Sequence, residues 1–253
     1  MRKFLYIFFA LFFWTCVGQK DDPEPEPETP VDLGGEEQGS RYFHRVLALE
    51  FTGSWCQYCP NMARAIQHAQ SLRPGRIVEI AVHVYDDLSP SAADALISRF
   101  GVNAYPTVVM DMSGATAFSN QDQSVLTAYV DKNASALTCG LAISCKEGDV
   151  TVKVKAEKEG TYALSLALLE DGISTYQVGY GDNYVNNAVL RRFVCDEEPL
   201  GVLKAGEEVS HSFDLALSGK ERVVAFVMRD GKSINVLSCK GNETIDYTYE
   251  EDD

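Results

Sequence analysis

The stretch TGSWCQYCP, residues 52–60, decides how the first half of this chain is interpreted. It follows the apolar run 46–51, which predicts a buried strand, and it precedes apolar residues at helical spacing over 62–72. A cysteine pair between a strand and a helix N-terminus can close a disulfide, and the helix dipole there favours a thiolate. We therefore predict that Cys56 attacks a substrate disulfide and that Cys59 resolves the mixed disulfide.

Two other uses of the cysteine pair stay open at this point. Zinc sites generally need four ligands, and no second Cys-x-x-Cys or suitably spaced histidine pair follows in the sequence, so we predict no metal site. An inert structural disulfide is the other alternative. No organic cofactor is expected, because the cysteine pair itself cycles between its two redox states. The scattered His44, His68 and His83 are predicted to be non-catalytic.

Strand and helix patterns alternate on both sides of this motif up to about residue 137. Strands are predicted over 76–84 and 107–110, and helices over 92–100 and 121–137. This alternation is typical of an α/β sheet. From residue 138 the apolar residues recur at every second position between Gly-containing turns, which predicts about seven short strands in a β-sandwich.

Residues 45–137 resemble a thioredoxin-fold domain in three elements that follow one another in the expected order. Residues 55–59 match the redox motif of that superfamily, and Glu50 stands where thioredoxins keep a buried acid. Residues 101–107 match the segment that leads to a cis-proline, here Pro106. The resemblance implies that Glu50 accepts the proton of the resolving cysteine and that Pro106 sits beside the attacking one.

The same resemblance implies a surface that binds an extended substrate peptide. Its residues would be Trp55, Gln57, Tyr58 and, through its backbone, Tyr105. The dipeptide Gln57-Tyr58 differs from the Gly-Pro of thioredoxin, and an aromatic residue in second place is similar to disulfide isomerases and glutaredoxins. The redox direction therefore stays open. Plain packing is the alternative role for Tyr105, and an exposed strand end is the alternative for Glu50.

Residues 40–240 resemble the 28-kDa outer-membrane protein family, with the phrase at 50–53 in the first half and residues 138–240 as the family's C-terminal half. The phrases at 169–173 and 184–191 carry this resemblance, and in that family a thioredoxin-like half precedes such a β domain on an exported lipoprotein. The expected fold is thus an α/β thioredoxin-like domain at 40–137, followed by an all-β immunoglobulin-like sandwich domain at 138–240. The resemblance bears on domain order and location more than on activity.

Four further cysteines accompany the predicted sandwich, namely Cys139, Cys145, Cys195 and Cys239. Structural disulfides are the favoured interpretation for an exported protein, and four cysteines allow three pairings between which the sequence does not choose. Free thiols that receive oxidising equivalents from the redox pair are the alternative. The aromatic segment 176–184 is interpreted as an exposed connection between the two sheets of the sandwich.

The two ends of the chain have compositions of their own. Residues 1–15 have a basic start and an uncharged apolar run too short to span a membrane, which predicts a signal peptide. Cys16 then resembles the lipidated first residue of bacterial lipoproteins, with ordinary secretion as the alternative. Residues 16–39 are predicted to be an extended acidic linker rich in proline, and residues 241–253 a solvated acidic tail.

The formal net charge of −15 argues against a nucleic-acid binder, which would need clustered Lys and Arg. We predict a cell-envelope thiol–disulfide oxidoreductase, a reductase or isomerase, whose partners are Cys-containing envelope or surface proteins and a membrane redox donor. Its predicted location is the outer membrane, held by the lipid anchor and exposed at the surface, with a periplasmic or secreted soluble protein as the alternative. The alternative function is an adhesin-type interaction protein that uses the thioredoxin fold as a scaffold.

Overall fold

Strands make up most of the regular secondary structure of the described residues, and several of them are buried on both faces. The structure is a computed structural model that describes residues 41–116 and 118–250, so the predicted leader, Cys16, the linker and residues 251–253 lie outside it. The helices are α1 (Cys59–Leu72), α2 (Ala93–Phe100) and α3 (Gln123–Asn133), and a short 3₁₀ turn covers Gly114–Thr116. The strands are β1 (Val46–Thr52), β2 (Ile77–His83), β3 (Thr107–Met110), β4 (Cys139–Lys146), β5 (Asp149–Ala156), β6 (Gly160–Glu170), β7 (Ile173–Gln177), β8 (Gly181–Asn186), β9 (Val189–Leu203), β10 (Glu208–Asp214), β11 (Glu221–Arg229), β12 (Lys232–Lys240) and β13 (Thr244–Ile245).

The helix ends follow from local chemistry. Pro60 lies in the first turn of α1, where the missing N–H costs little. The helix α2 ends at Gly101, whose φ of 63° is the left-handed conformation that glycine adopts most easily. Before α3, the Asp122 carboxylate accepts a hydrogen bond from the Ser124 N–H at 2.9 Å. The predicted helices and strands of the first half are therefore confirmed to within a few residues at most of their ends.

One seven-stranded sheet runs through both halves of the chain, in the order β12-β11-β6-β9-β2-β1-β3. It is mixed, because β1 pairs with β2 in parallel and with β3 in antiparallel orientation. The junction between the halves is a parallel pairing of β2 with β9, at Ala81 and Val189. The domain boundary at residue 138 stays a prediction, and this sheet joins strands from both sides of it.

The faces of this sheet are covered differently at its two ends. Side chains of β1 alternate between two cores, with Leu47, Leu49 and Phe51 in one and Val46 and Ala48 in the other. The second of these cores is completed by α1 and α3. At the other end, β6, β11 and β12 pack against an antiparallel four-stranded sheet of order β10-β5-β4-β13 through a third core.

Residues 241–250, which were predicted to belong to a solvated acidic tail, make ordered contacts with the rest of the chain. The strand β13 pairs with β4, and the ring of Tyr249 stacks on that of Tyr42 with centroids 5.1 Å apart. Both carboxylate oxygens of Glu250 accept hydrogen bonds from the guanidinium of Arg76, at 2.6 and 2.5 Å. The segment is ordered because an arginine neutralises its acid and because its tyrosines bury apolar area.

We expect Glu250→Gln to lower the free energy of unfolding by about 1 kcal/mol at neutral pH. Burial raises the pKa of Glu250, but hydrogen bonds from Arg76 and from the His44 N–H outweigh it and hold the pKa below its usual value. This stabilisation is present above the unfolded pKa of about 4.3 and is lost as pH falls through the folded pKa. Urea unfolding at pH 7 and pH 3 measures it, with exposed Glu198→Gln as the control. If the free energies of unfolding of the wild type and of Glu250→Gln differ by the same amount at both pH values, the ion pair is contradicted.

Candidate functional site

The predicted redox pair lies where the loop between β1 and α1 (residues 53–58, called here the redox loop) meets the first residue of α1. Cys56 and Cys59 are joined by a disulfide. Both are buried, and Cys56 keeps the larger exposed fraction, 4% against 1% for Cys59. Since Tyr58 provides no side-chain cap to α1, N–H groups of the first helical turn stay available to a negative charge beside them. The more accessible sulfur therefore belongs to the cysteine that the sequence predicts to attack.

Trp55 is fixed next to this disulfide by a hydrogen bond and by close packing. Its Nε1 donates to the Val84 carbonyl at 2.8 Å. A Cβ atom at Gly53 would lie 2.7 Å from that nitrogen, so the position requires glycine. The indole nevertheless stays 43% exposed, which leaves a face available to a bound chain.

Trp55, Tyr85 and Tyr105 form a cluster of aromatic rings, called here the aromatic cluster, and Trp55 directly precedes Cys56 in the chain. Ring centroids lie 5.3 Å apart for Trp55 and Tyr105, and 6.4 Å apart for Tyr85 and Tyr105. Burial and the neighbouring Tyr85 hydroxyl raise the pKa of Tyr105 to about 12, so its hydroxyl stays neutral. The Tyr105–Pro106 peptide bond is cis, and Pro106 is buried. Tyr85 is a member that the sequence analysis missed.

Two carboxyl groups, Glu50 and Glu79, lie beneath the redox loop and are called here the carboxyl pair. Glu50 is 1% exposed, and its Oε1 has no hydrogen-bond partner among the described residues. Burial, followed by the charge and hydrogen bond of Glu79, raises the pKa of Glu50 well above its usual value. Burial also raises the pKa of Glu79. Because Glu79 keeps some exposed surface, we assign the shared proton to Glu50.

A small polar cavity adjoins the carboxyl pair. Its volume is about 30 Å³, and Thr52, Pro60, Ala63, Gln67, Ala81, His83, Gln177, Tyr184, Val185, Asn186 and Asn187 line it together with the two acids. A space of this size and polarity can hold a water molecule. It connects the buried acid to the surface between α1 and the hairpin of β7 and β8, and so offers a route for a proton.

The hairpin formed by β7 and β8 packs against the redox loop, and it is called here the redox hairpin. The Val178 N–H donates to the Ser54 carbonyl at 2.9 Å. The buried Gln177 amide donates to the carbonyls of Gly53 and Cys56, at 3.3 and 2.8 Å. The prediction that 176–184 is a connection between sandwich sheets is therefore wrong. Backbone and side-chain hydrogen bonds hold the segment at the cysteines instead.

Further contacts fix the redox loop and hairpin from the sides. The Asp86 carboxylate accepts hydrogen bonds from the Ser54 N–H and lies 2.8 Å from the His83 ring nitrogen. Arg64 of α1 donates to the Tyr180 hydroxyl at 2.8 Å. The loop is thus held on three sides, which favours a single arrangement of the two cysteines.

We expect Gln177→Ala to lower the free energy of unfolding by about 1–3 kcal/mol, because two buried carbonyls lose their donor. We also expect it to change the equilibrium between the disulfide and dithiol forms of Cys56 and Cys59, since one of those carbonyls belongs to Cys56. Urea unfolding and equilibration in glutathione buffers measure the two effects. The control is Gln123→Ala on α3, which does not line the cavity of the carboxyl pair. Equal behaviour of both variants would show that the redox hairpin does not position the loop.

The other residues predicted for the site are an exposed pair on the redox loop and four cysteines outside it. Gln57 and Tyr58 are exposed on the redox loop, as a binding surface requires. In the structure Cys139, Cys145, Cys195 and Cys239 are free thiols, so it does not show the disulfides expected among them.

Within residues 41–116 and 118–250, no group of three or more His, Cys, Asp or Glu side chains could hold a metal ion. Among those residues, too, no helix is long and apolar enough to cross a membrane.

Besides Tyr85, sequence reasoning missed three groups of this site, namely Glu79, Gln177 and Tyr184, and one of these three carried a signal. Glu79 is an acid inside the apolar strand β2, just as Glu50 is in β1. The shared pattern indicates two buried acids on neighbouring strands. Gln177 and Tyr184 carried no comparable signal, because the bond from Gln177 to Cys56 spans 121 residues and Tyr184 reaches the cavity of Glu50 from the other half of the chain.

Comparison with known proteins places the chain in a family. The model of the outer membrane protein Omp28 family matches residues 93–244. The chain belongs to the Omp28 family. The matched region includes α2, the aromatic residue Tyr105, the redox hairpin and most of the β structure. It begins after Cys56 and Cys59, so membership of the family does not by itself imply redox chemistry.

Two solved structures share the fold over most of the chain. HBP35 of Porphyromonas gingivalis is 18% identical, with a TM-score of 0.66 over 81% of this chain and 77% of that one. A protein of Agrobacterium tumefaciens is 13% identical, with a TM-score of 0.61 over 81% of this chain and 98% of that one. The thioredoxin Deadhead of Drosophila melanogaster covers only 35% of this chain, at 21% identity and a TM-score of 0.29, which is too low to establish a shared fold. The comparison with curated proteins found no match.

Proposed function

We propose that this chain is a thiol–disulfide oxidoreductase of the cell envelope. The observation that carries the proposal is the Cys56–Cys59 disulfide at the start of α1, with the buried Glu50 carboxyl beneath the loop that holds it. A purely structural disulfide has no use for a buried acid whose oxygen lacks a partner, since such a group costs stability. A redox pair that must move a proton does have a use for it.

The proposed reaction begins with the reduced pair. The Cys56 thiolate attacks a substrate disulfide, forming a mixed disulfide and releasing one substrate thiol. Glu50 first loses its own proton to solvent through the adjoining cavity and then accepts the proton of Cys59 as a carboxylate. Cys59 attacks Cys56, which closes the Cys56–Cys59 bond and releases the second substrate thiol. Two electrons pass from the cysteine pair to the substrate. A membrane dithiol donor reduces the pair again, or the reverse direction oxidises substrate dithiols.

The surface around the disulfide supports an extended protein substrate. The aromatic cluster stands beside it, Tyr58 is 59% exposed, and the backbone next to Pro106 is within reach of a bound chain. We assign peptide binding to Trp55, Gln57, Tyr58 and Tyr105 in this proposal. Glu79 and the cavity-lining Gln177 act as positioning residues, the first for the proton of Glu50 and the second for the backbone of Cys56.

The proposal also covers architecture and location. Residues 40–137 would be the thioredoxin-like domain and residues 138–240 an immunoglobulin-like sandwich that contributes the redox hairpin. Membership of an outer membrane protein family supports a place in the envelope. Attachment through a lipid on Cys16, and exposure at the surface, are proposed on the leader sequence alone.

The test is disulfide exchange on a protein substrate. Insulin reduction with dithiothreitol as electron donor, and refolding of a scrambled disulfide protein, are followed for the wild type and for Cys56→Ser. We expect catalysis in at least one assay that falls to the uncatalysed rate in the variant. Equal rates for both proteins in both assays would contradict the proposal.

A second function, that of a surface interaction protein on the same scaffold, is favoured by one observation. The family match leaves out residues 56–59 and includes the exposed tyrosines 176 and 180 of the redox hairpin. In that case the disulfide would be inert. The exchange assays distinguish the two functions, because an interaction protein would show neither activity.

A further inference from the structure

Two of the four free cysteines lie where the turn after β12 connects the seven-stranded sheet to the four-stranded sheet. Cys239 lies near the end of β12, and Cys145 near the end of β4. A short turn leads from β12 into β13, which pairs with β4. Within that turn the Asn242 N–H donates to the Cys145 carbonyl at 2.7 Å, and the Cys145 N–H donates to the Glu243 carbonyl at 2.9 Å.

The Cys239 side chain and the Cys145 backbone converge on one carbonyl group. The Cys239 thiol lies 3.6 Å from the Glu243 carbonyl that also accepts the Cys145 N–H. Both side chains are buried in the core between the sheets. The neighbouring Cys239 thiol raises the pKa of Cys145, and the neighbouring Cys145 thiol lowers that of Cys239.

The other two free cysteines make different contacts. The thiol of Cys195 donates to the Leu164 carbonyl at 3.6 Å. Cys139 is fully buried, and burial followed by the charge of Glu157 raises its pKa. Its carbonyl accepts a hydrogen bond from the Asn235 amide. Among the four free cysteines of the described residues, Cys145 and Cys239 are therefore the two that lie at one carbonyl group in one core.

We propose that Cys145 and Cys239 form a second, structural disulfide. It would link β12, at the edge of the seven-stranded sheet, to β4 of the four-stranded sheet. The oxidant is a small-molecule or protein disulfide. The Cys239 thiolate attacks one of its sulfurs and releases one thiol, and Cys145 then displaces the second thiol to close the bond. Two electrons and two protons leave with the two released thiols.

Burial of the two sulfur atoms determines at which stage the bond forms and how accessible it is to reductants. Neither sulfur is accessible once the turn between β12 and β13 has packed, so oxidation belongs to the folding of the chain. The bond then closes a long loop of intervening chain and is shielded from external reductants. The long loop distinguishes it from the pair at Cys56 and Cys59, which are three residues apart and are buried to a similar degree.

The test uses the full chain, refolded in a mixture of oxidised and reduced glutathione, alkylated, digested with trypsin and measured by mass spectrometry without reduction. We expect a cross-linked species that contains residues 133–146 and 233–240. The first of these peptides also contains Cys139, so the experiment is repeated with Cys139→Ser, which should keep the link, and with Cys145→Ser, which should lose it.

Two results would overturn the proposal. One is a link that contains residues 193–204 or that disappears in Cys139→Ser. The other is complete alkylation of Cys145 and Cys239 in samples where Cys56 and Cys59 are oxidised. The Cys139→Ser variant decides the matter if Cys145→Ser does not fold, because Cys145 is then the one cysteine of peptide 133–146. The same link is expected in a Cys56→Ser, Cys59→Ser double variant, so this inference stands or fails separately from the redox activity.

Discussion

Cys59→Ser is expected to accumulate a covalent adduct with disulfide-bonded proteins, whereas Cys56→Ser forms none. In the first variant Cys56 can still attack a substrate disulfide, but no second thiol remains to displace the substrate. The mixed disulfide therefore persists in most molecules. In the second variant the remaining Cys59 is 1% exposed and cannot reach a substrate sulfur.

Non-reducing electrophoresis and mass spectrometry of the adduct measure this difference. The matched control is Cys195→Ser, which removes a half-buried thiol far along the chain from the redox loop and should behave as the wild type. Mapping of the adduct should place the substrate on Cys56. Adducts of similar yield in Cys56→Ser and Cys59→Ser would show that the two cysteines do not have the separate roles assigned to them.

Glu50→Gln is expected to slow disulfide exchange and at the same time to stabilise the fold at alkaline pH. The exchange step loses its proton acceptor, which typically costs about 10²-fold or more in rate. The stability effect follows from burial, which raises the pKa of Glu50. Since the folded pKa lies above the unfolded one, the stabilisation is complete below the unfolded pKa of about 4.3 and is lost as pH rises through the folded value.

The wild type therefore loses about 1.4 kcal/mol for each unit by which folding raises this pKa, and the glutamine variant does not. Urea unfolding should give nearly equal free energies of unfolding for the wild type and Glu50→Gln at pH 4. At pH 9 the variant should be the more stable of the two. Glu79→Gln is the matched control, because Glu79 is only partly buried and should show smaller changes in both rate and stability. A variant as active as the wild type, or one less stable at pH 9, would contradict the assigned role.

The local elements of this site could be predicted from the sequence because local patterns determine them. A single acid in an apolar strand, two cysteines at the start of a helix and a proline in its first turn are all visible in residues 46–72. The structure places these groups together, with Glu50 buried below the redox loop. The alternative of an exposed strand end for Glu50 is therefore excluded.

The redox hairpin and the ordered C-terminal segment could not be predicted in the same way. The Gln177 amide bonds the Cys56 carbonyl across a separation of 121 residues, and Glu250 bonds Arg76 across 174. Composition alone indicated an exposed aromatic connection and a solvated acidic tail. The ordering contacts are pairings between distant segments, which neither local periodicity nor charge runs report.

The seven-stranded sheet explains why the two halves of the chain should act together. The strand β2 carries Glu79 and pairs with β1, which carries Glu50, and on its other side it pairs with β9. The redox hairpin immediately precedes β9 in the chain. The pairing of β9 with β2 therefore places the hairpin next to the redox loop. A β domain that only served as a spacer would not need this junction.

The reduction potential of the Cys56–Cys59 pair tests the central claim most directly. The full chain is equilibrated in glutathione or dithiothreitol buffers of defined potential, and the two thiols are trapped by alkylation and counted by mass spectrometry. The proposed oxidoreductase predicts a value between roughly −270 and −120 mV, the range of known exchange catalysts, with rapid equilibration through Cys56. A potential below roughly −300 mV, as in structural disulfides, together with an unreactive Cys56, would contradict it.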